Sequence, residues 1–306
     1  MGFSEPPDIR GLQTLAAVAK CGSLTAASSA LGVTQQAVSS RIRALEVRTG
    51  SELVARSPGG SRLTETGLLV AGWAANVLTA ADRFEVSVAS LRAAQSGQLS
   101  VAASLTIAEH LVPDWLLAFH SDTERPASVD LTVANSRTVV DRVRGGSCEI
   151  GFIETPDVPG DLDSRLFGHD ELVVVVGASH AWAGRRRAVT VRELARTPLI
   201  VREEGSGTRR LLELALAALD PPLAPHAPAS VLPTTTAIRS TIASGAAPGV
   251  LSSLAIRDDV TLGRLIPVRV TGVTLIRPLT AIWARKPAGL SANAERLLSV
   301  VKVAQR

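Results

Sequence analysis

The chain has 306 residues, of which 46% are hydrophobic and 20% charged, which suffices for buried cores in two or three domains and excludes disorder or a collagen-like repeat. The net charge of +4 rests on 29 arginines and 3 lysines, too mild a balance to name a partner by itself. Cys21 and Cys148 form no CxxC pair and the five histidines no HExxH, so a disulfide framework, a zinc ribbon and metal catalysis are without support.

The opening MGFSEPPDIR has acids and prolines where a signal peptide needs a basic start and an apolar run, and no later stretch is apolar enough to span a bilayer. The expectation is a cytoplasmic chain with no membrane partner. A first helix is predicted after Asp8, with Leu12, Leu15 and Val18 on one face. A break at Cys21-Gly22-Ser23 leads into TAASSAL, whose Ala26, Ala27 and Leu31 can pack inward. Gly32 breaks the chain again, and Thr34 is placed to cap a third helix that closes at Gly50. In that third run Val38, Ile42 and Leu45 form a buried stripe, and Gln35, Gln36, Ser39, Ser40 and Arg43 lie opposite.

Two short helices joined by a glycine turn, the second with a polar outer face, describe a helix-turn-helix. Gln can bond adenine through N6 and N7, Arg can bond guanine through O6 and N7, and Ser can bond either. The alternative is a three-helix bundle with a merely solvated face, which usually mixes lysine and glutamate; here the face holds one acid, Glu46. Residues 1–63 hold seven basic against four acidic residues, a net of +3. Residues 53–63, LVARSPGGSRL, read as a hairpin with Pro58-Gly59-Gly60 at its tip, either a wing that places Arg56 and Arg62 on phosphate or minor groove, or an ordinary surface turn.

From Leu12 to Gly67 the chain resembles the winged helix-turn-helix of LysR-type bacterial transcriptional regulators. GSLTAAS, TQQAVSSRIRALE and the ending LxxR…RLTETG carry the resemblance without a gap over about 60 residues. It implies a DNA-binding domain at 1–63, a linker and dimerisation helix at 64–96, and an effector-binding domain at 97–306. It also implies RNA polymerase as a further partner.

After Thr64 no proline occurs until Pro113, and Trp73, Val77, Ala80, Phe84, Val88 and Leu91 step by three and four, a coiled-coil-like seam. About 30 helical residues reach roughly 45 Å. Such a stripe needs a partner: a second copy, giving a homodimer or homotetramer on a partly palindromic site, or the chain's own C-terminal region.

Beyond Leu99, strand and helix patterns alternate, predicting an α/β region with largely parallel sheets. Strands are expected at 99–104, 128–136, 149–154, 171–178, 198–203, 249–253, 265–270 and 279–285. Helices are expected at 108–120, 137–145, 190–195, 207–219, 235–244 and 291–304. The resemblance implies two Rossmann-like subdomains similar to periplasmic solute-binding proteins, 97–167 with 271–306 and 168–270, crossed near Phe167 and again near residue 270, with a ligand between them.

Ala103-Ser104-Leu105-Thr106 follows a strand and opens a helix; Gly205-Ser206-Gly207-Thr208 does the same. Small hydroxyls and free backbone N–H groups at such places suit an anion, or they simply cap the helices. The first motif resembles ASxTIAEYLLP and the second REPGSGTR, from the anion-sensing branch of the family. That resemblance implies Ser104, Leu105, Thr106, Ser206, Gly207 and Thr208 as effector residues, with Asn135 and Thr155 as walls and Thr234 and Thr235 as a polar helix start. His110 replaces a tyrosine of that pattern, and Gly245-Ala246-Ala247-Pro248 stands where GLGI is common. No resident cofactor is expected, only a small effector such as a carboxylate, phosphate or sulfur oxyanion. GxSxG, GxGxxG and a phosphate-loop GK[ST] are absent, and no base–nucleophile pair is legible, so the chain is read as a regulator and not an enzyme. A solute-binding receptor fused to a helix-turn-helix is the alternative function.

Overall fold

The computed structural model describes residues 8–57, 60–95, 98–121, 127–287 and 289–302. The chain forms two compact units that divide between Val86 and Ser87. In the first, α1 (Ile9–Cys21), α2 (Leu24–Leu31) and α3 (Gln35–Thr49) each begin at a side chain that accepts from first-turn N–H groups. Asp8 accepts from Arg10 and Gly11, Ser23 from Ala26, and Thr34 from Ala37. Leu12, Leu15 and Val18 close on Ala27 and on Val38, Ile42 and Leu45. Ala26, expected inside, is exposed; Leu24, directly after the cap, takes the inward place because it lies three residues before Ala27.

The hairpin pairs β1 (Val54–Ser57) with β2 (Gly60–Leu63) from Val54↔Leu63 to Ser57↔Gly60. Gly60, expected at the tip, thus belongs to a strand, and Pro58 and Gly59 lie outside the described residues. Helix α4 (Glu65–Gln95) follows, its first turn capped by Thr64 Oγ1, which accepts from Gly67 N at 2.9 Å and donates to Glu52 O at 2.8 Å. One apolar stripe was expected on this helix, and two are present. Val70, Ala71, Ala74 and Leu78 pack on the three-helix core, while Trp73 (64% exposed), Val77 (41%) and Phe84 (66%) face outward. The side chains of Val88 and Leu91 lie outside the described residues.

In the second unit the elements are β3 (Leu99–Ser104), α5 (Leu105–His110), α6 (Val112–His120), β4 (Val129–Ala134), α7 (Ser136–Arg144), β5 (Ile150–Ile153) and β6 (Leu162–Gly177). These are followed by β7 (Val189–Thr190), α8 (Val191–Ala195), β8 (Ile200–Arg202), α9 (Gly207–Ala217), β9 (Ser230–Leu232), α10 (Thr235–Ala243) and β10 (Gly249–Ser252). The last are α11 (Ser253–Thr261), β11 (Leu265–Val268), β12 (Val270–Thr271), β13 (Ile276–Ala284) and α12 (Ala292–Val300).

The strand order is β4-β3-β5-β13-β6-β10-β8-β9, with β11 also on β6. Strand β6 spans both halves of the sheet. Leu162–Glu171 pairs with β13, and Leu172–Gly177 pairs with β10 and β11. The sheet is therefore mixed and not largely parallel: the βαβ crossovers give parallel pairs such as β3 with β4 and β8 with β9, and the strands that cross between the halves run against their neighbours. Two cores flank each half, so alternate residues of β3 and β5 face opposite helices: Val101 and Phe152 lie with α5, α6 and α12, Ala102 and Ile153 with α7. In the other half Val174 and Val250 lie with α8 and α9, Val175 and Leu251 with α10 and α11.

The return crossing expected near residue 270 comes after Leu275. Val270–Thr271 still pairs with β7, and Val273 and Leu275 belong to the second half's core. The expected helix 108–120 starts earlier and is two helices, broken at Leu111 (φ −121°) ahead of Pro113, which cannot donate to the preceding turn.

At Gly67 a Cβ would lie 2.1 Å from Leu53 O. Gly67→Ala should therefore destabilise the first unit by about 1–3 kcal/mol, read by urea unfolding of the full chain. An unchanged midpoint would contradict this packing of α4 on β1.

Candidate functional site

In the first unit, Gln35, Gln36, Ser39, Ser40 and Arg43 line one shallow hollow of about 490 Å³ on the outer side of α3. Val38, Ile42 and Leu45 hold the helix from behind. Thr34 stands at the same end as the cap, its hydroxyl committed to Ala37 N at 3.2 Å. Glu46 does not belong to that outer face: its Oε1 accepts from Leu53 N at 2.9 Å and Val54 N at 3.2 Å, tying α3 to the hairpin. No carboxylate therefore lines the hollow. Arg62 is exposed on β2, and the side chain of Arg56 lies outside the described residues.

In the second unit the two hydroxyl motifs converge on a residue the sequence did not single out. Arg277, on β13, is fully buried. Its Nε and Nη2 donate to Asp170 Oδ2 at 2.9 and 2.6 Å, and the two residues are register partners across β13 and β6. Its Nη1 donates to Thr208 Oγ1 at 3.0 Å and to Glu154 O at 3.3 Å, and Nη2 reaches Thr106 Oγ1 at 3.3 Å. Thr106 comes from the first half of the sheet and Thr208 from the second, so one guanidinium bridges both motifs.

Glu154 Oε2 lies 3.2 Å from Arg277 Nη2 yet makes no hydrogen bond. Burial pushes the Glu154 carboxyl up from its usual value, and Asp170 adds to this; Arg277, Thr106 and Arg202 pull the other way. Ser252 Oγ donates to Asp170 Oδ1 at 2.8 Å, and buried Arg202 is taken up by Glu203 at 2.8 and 2.9 Å. A Cβ on Gly207 would lie 2.0 Å from Glu154 O, so only glycine lets α9 approach this closely.

Ser104 and Ser206 are buried at the starts of α5 and α9, and neither caps its helix. Both hydroxyl oxygens lack a hydrogen-bond partner. Ser206 and Thr155 also line a cleft of about 560 Å³ between the two halves, whose four arginines are already paired: Arg137 with Glu204, Arg144 with Asp161, Arg209 with Glu213, Arg210 with Asp157. Asn135 caps α7 through Thr138 N and reaches Glu203 Oε1 across the cleft at 3.2 Å. Leu105 is buried at the start of α5, and Thr235 is buried at the start of α10, whose cap is Thr234. His110 has a buried Nε2 without a hydrogen-bond partner, and burial keeps its pKa below the usual value. Arg277, Glu154 and Asp170 were missed in the sequence, although each is a charge set into or beside an apolar strand run, an arrangement that a buried ion cluster requires.

Residues 9–68 match the bacterial regulatory helix-turn-helix protein, lysR family, and residues 92–305 match the LysR substrate binding domain. The chain belongs to the LysR family. An uncharacterized HTH-type transcriptional regulator of Mycobacterium tuberculosis is 41% identical over 294 residues, 94% of either chain. The HTH-type regulator YeiE of Escherichia coli is 32% identical over 282 residues, 91% of this chain and 92% of that one. Among solved structures, the LysR family regulator CbnR superposes with a TM-score of 0.58 at 22% identity, covering 96% and 97% of the two chains. The regulatory domain of CcmR from Synechocystis gives 0.57 at 23%, covering 66% and 94%. This LysR-family chain is thus a DNA-binding transcriptional regulator with an effector-binding region, and its relatives are regulators, not enzymes. No helix among the described residues is long and apolar enough to cross a membrane.

Asp170→Asn removes the carboxylate that accepts two of the Arg277 hydrogen bonds, and the counter-charge falls to Glu154 Oε2, 3.2 Å away and not hydrogen-bonded to it. The expected loss is about 3–5 kcal/mol in urea unfolding, with part of it recovered by adding Arg277→Met. A loss below about 1 kcal/mol would show that the pair is not desolvated as described.

Proposed function

We propose that this LysR-family regulator is controlled by a small anionic metabolite, a carboxylate, phosphate or sulfur oxyanion, held between the halves of its effector region by Ser104, Thr106, Ser206 and Thr208. The observation that carries this reading is the pair of buried, unpartnered hydroxyls of Ser104 and Ser206, one from each half, in the two motifs whose threonines, Thr106 and Thr208, are bridged by the Arg277 guanidinium. Burying two hydroxyls without partners costs free energy that a ligand acceptor would return. Leu105 and Gly207 shape the two motifs, and Asn135, Thr155 and Thr235 are walls in this reading. The CcmR regulatory domain was solved in complex with 2-PG, a small ligand on the same fold.

Occupancy would bias the angle between the halves and with it the DNA-bound state, a coupling of about 1–3 kcal/mol. Gln35, Gln36, Ser39, Ser40 and Arg43 would read base edges, with Arg56 and Arg62 on the backbone; CbnR, of like fold, was solved with its target DNA. The exposed stripe of Trp73, Val77 and Phe84 supports association of α4 with a second copy, as a homodimer or homotetramer on a partly palindromic promoter. RNA polymerase is the further partner in this scheme.

Thermal shift of the full chain against sulfate, inorganic phosphate and small carboxylates tests the effector reading. A concentration-dependent rise in melting temperature, lost in Ser104→Ala and in Ser206→Ala, is the expected result. No shift with any of them would overturn it. On the DNA side, Arg43→Ala should relax base choice at one position by about 1–3 kcal/mol. Arg62→Ala should weaken binding to all sequences alike and lower the salt slope by about one. The reverse pattern in a salt-titrated binding assay would exchange the two roles.

A further inference from the structure

We infer that the effector site takes up its anion together with one proton, shared between a ligand oxygen and Glu154 Oε2. The inference rests on the anion reading above and adds the protonation state to it.

The charges around Glu154 decide the matter. Arg277 faces it from β13, Asp170 from β6 and Arg202 from β8, while Thr106 of α5, Ser136 of α7 and the backbone of Gly207 on α9 contribute no charge. Arg202 is committed to Glu203, and Arg277 is committed first to Asp170, its partner at 2.6 Å. Two carboxylates therefore share one guanidinium, and a surplus negative charge is left on Glu154. His110, on α5, faces Asp170, but burial favours its neutral form, and Arg239 beside it is held by Asp259.

Glu154 Oε2, Ser104 Oγ and Ser206 Oγ are buried and without hydrogen-bond partners. Hydroxyls can turn their protons toward an anion, but an ionised carboxylate can only accept. An anion brought against ionised Glu154 would meet an uncompensated like charge in a buried place, and such pairs hold a proton between them. The proton enters from solvent onto Glu154 Oε2, which then donates to the ligand, or it arrives on the anion and is donated to Glu154. A fully deprotonated oxyanion must use the first route, and one that carries its own proton can use the second. The direction in which burial moves the Glu154 carboxyl agrees with this.

The sign of the linkage follows. The bound anion raises the Glu154 pKa above its value in the free protein. Binding of a deprotonated anion is therefore full-strength below the free-state value and weakens between the free and bound values, by about tenfold per pH unit.

The test is isothermal titration calorimetry of the full chain with sulfate from about pH 5 to about pH 9.5, in pairs of buffers with different ionisation heats. The expected result is an affinity that falls about tenfold per unit on the alkaline side, with uptake approaching one proton per sulfate. Glu154→Gln, whose amide donates but does not titrate, should bind sulfate with no such slope. Inorganic phosphate keeps at least one proton throughout this range and can donate it to Glu154 Oε2, so phosphate bound where sulfate is refused has the same meaning. Sulfate bound by the wild type with unchanged affinity and no proton exchange across the range overturns the inference and leaves the anion reading intact. Neither anion bound at any pH overturns the inference, and if the small carboxylates also fail to bind it overturns the anion reading as well. The buffer-pair count on the wild type decides the question even if the glutamine variant fails to fold.

Discussion

The second unit is organised around one buried guanidinium. Arg277 has no access to solvent, and burying an unpaired cation costs several kcal/mol. Asp170 offsets most of this from the opposite crossing strand, and Ser252 fixes the carboxylate that does so. The remaining donors reach Thr106 on one side of the cleft and Thr208 on the other. The same bonds that satisfy the arginine thus set the spacing of the two motifs, and a ligand entering there must share or replace them. On the proposed reading, stability and response to an effector are drawn from a single set of hydrogen bonds.

The first unit depends on apolar packing. Its three short helices are too brief to hold alone and persist because Leu15, Ala27, Val38 and Leu53 are all fully buried against one another. Helix α4 adds Val70, Ala71 and Ala74 to that core and offers a separate apolar stripe outward. The inner stripe serves the chain's own core, and the outer one is where the proposed association with a second copy would act.

Much of this was legible in the sequence. The helix start after Asp8, the break at Cys21-Gly22-Ser23, the cap Thr34, the buried stripe of α3 and the hydroxyl motifs all rest on local spacing, and local spacing is what a sequence displays. What was hidden depends on contacts distant along the chain. Leu162–Asp170 is mostly polar and lies beside β13, so nothing in its own pattern marks a strand. The second stripe of α4 shows only against the core it covers. Arg277 and Asp170 are 107 residues apart, and neither carries a motif. Glu46 looked like one more surface acid because its partners, the N–H groups of Leu53 and Val54, lie in the next element.

The placement of Glu46 has a consequence for how such a regulator can change. The residues that anchor α3, namely Val38, Ile42, Leu45 and Glu46, share no member with the outward set of Gln35, Gln36, Ser39, Ser40 and Arg43. Substitutions in the outward set leave the core and the hairpin tie untouched, since exposed positions of this kind usually shift stability by less than about 0.5 kcal/mol. On the proposed reading of the outward set, operator preference in a duplicated copy can therefore drift under selection while the scaffold stays fixed, and a new regulatory circuit can arise without passing through an unfolded intermediate.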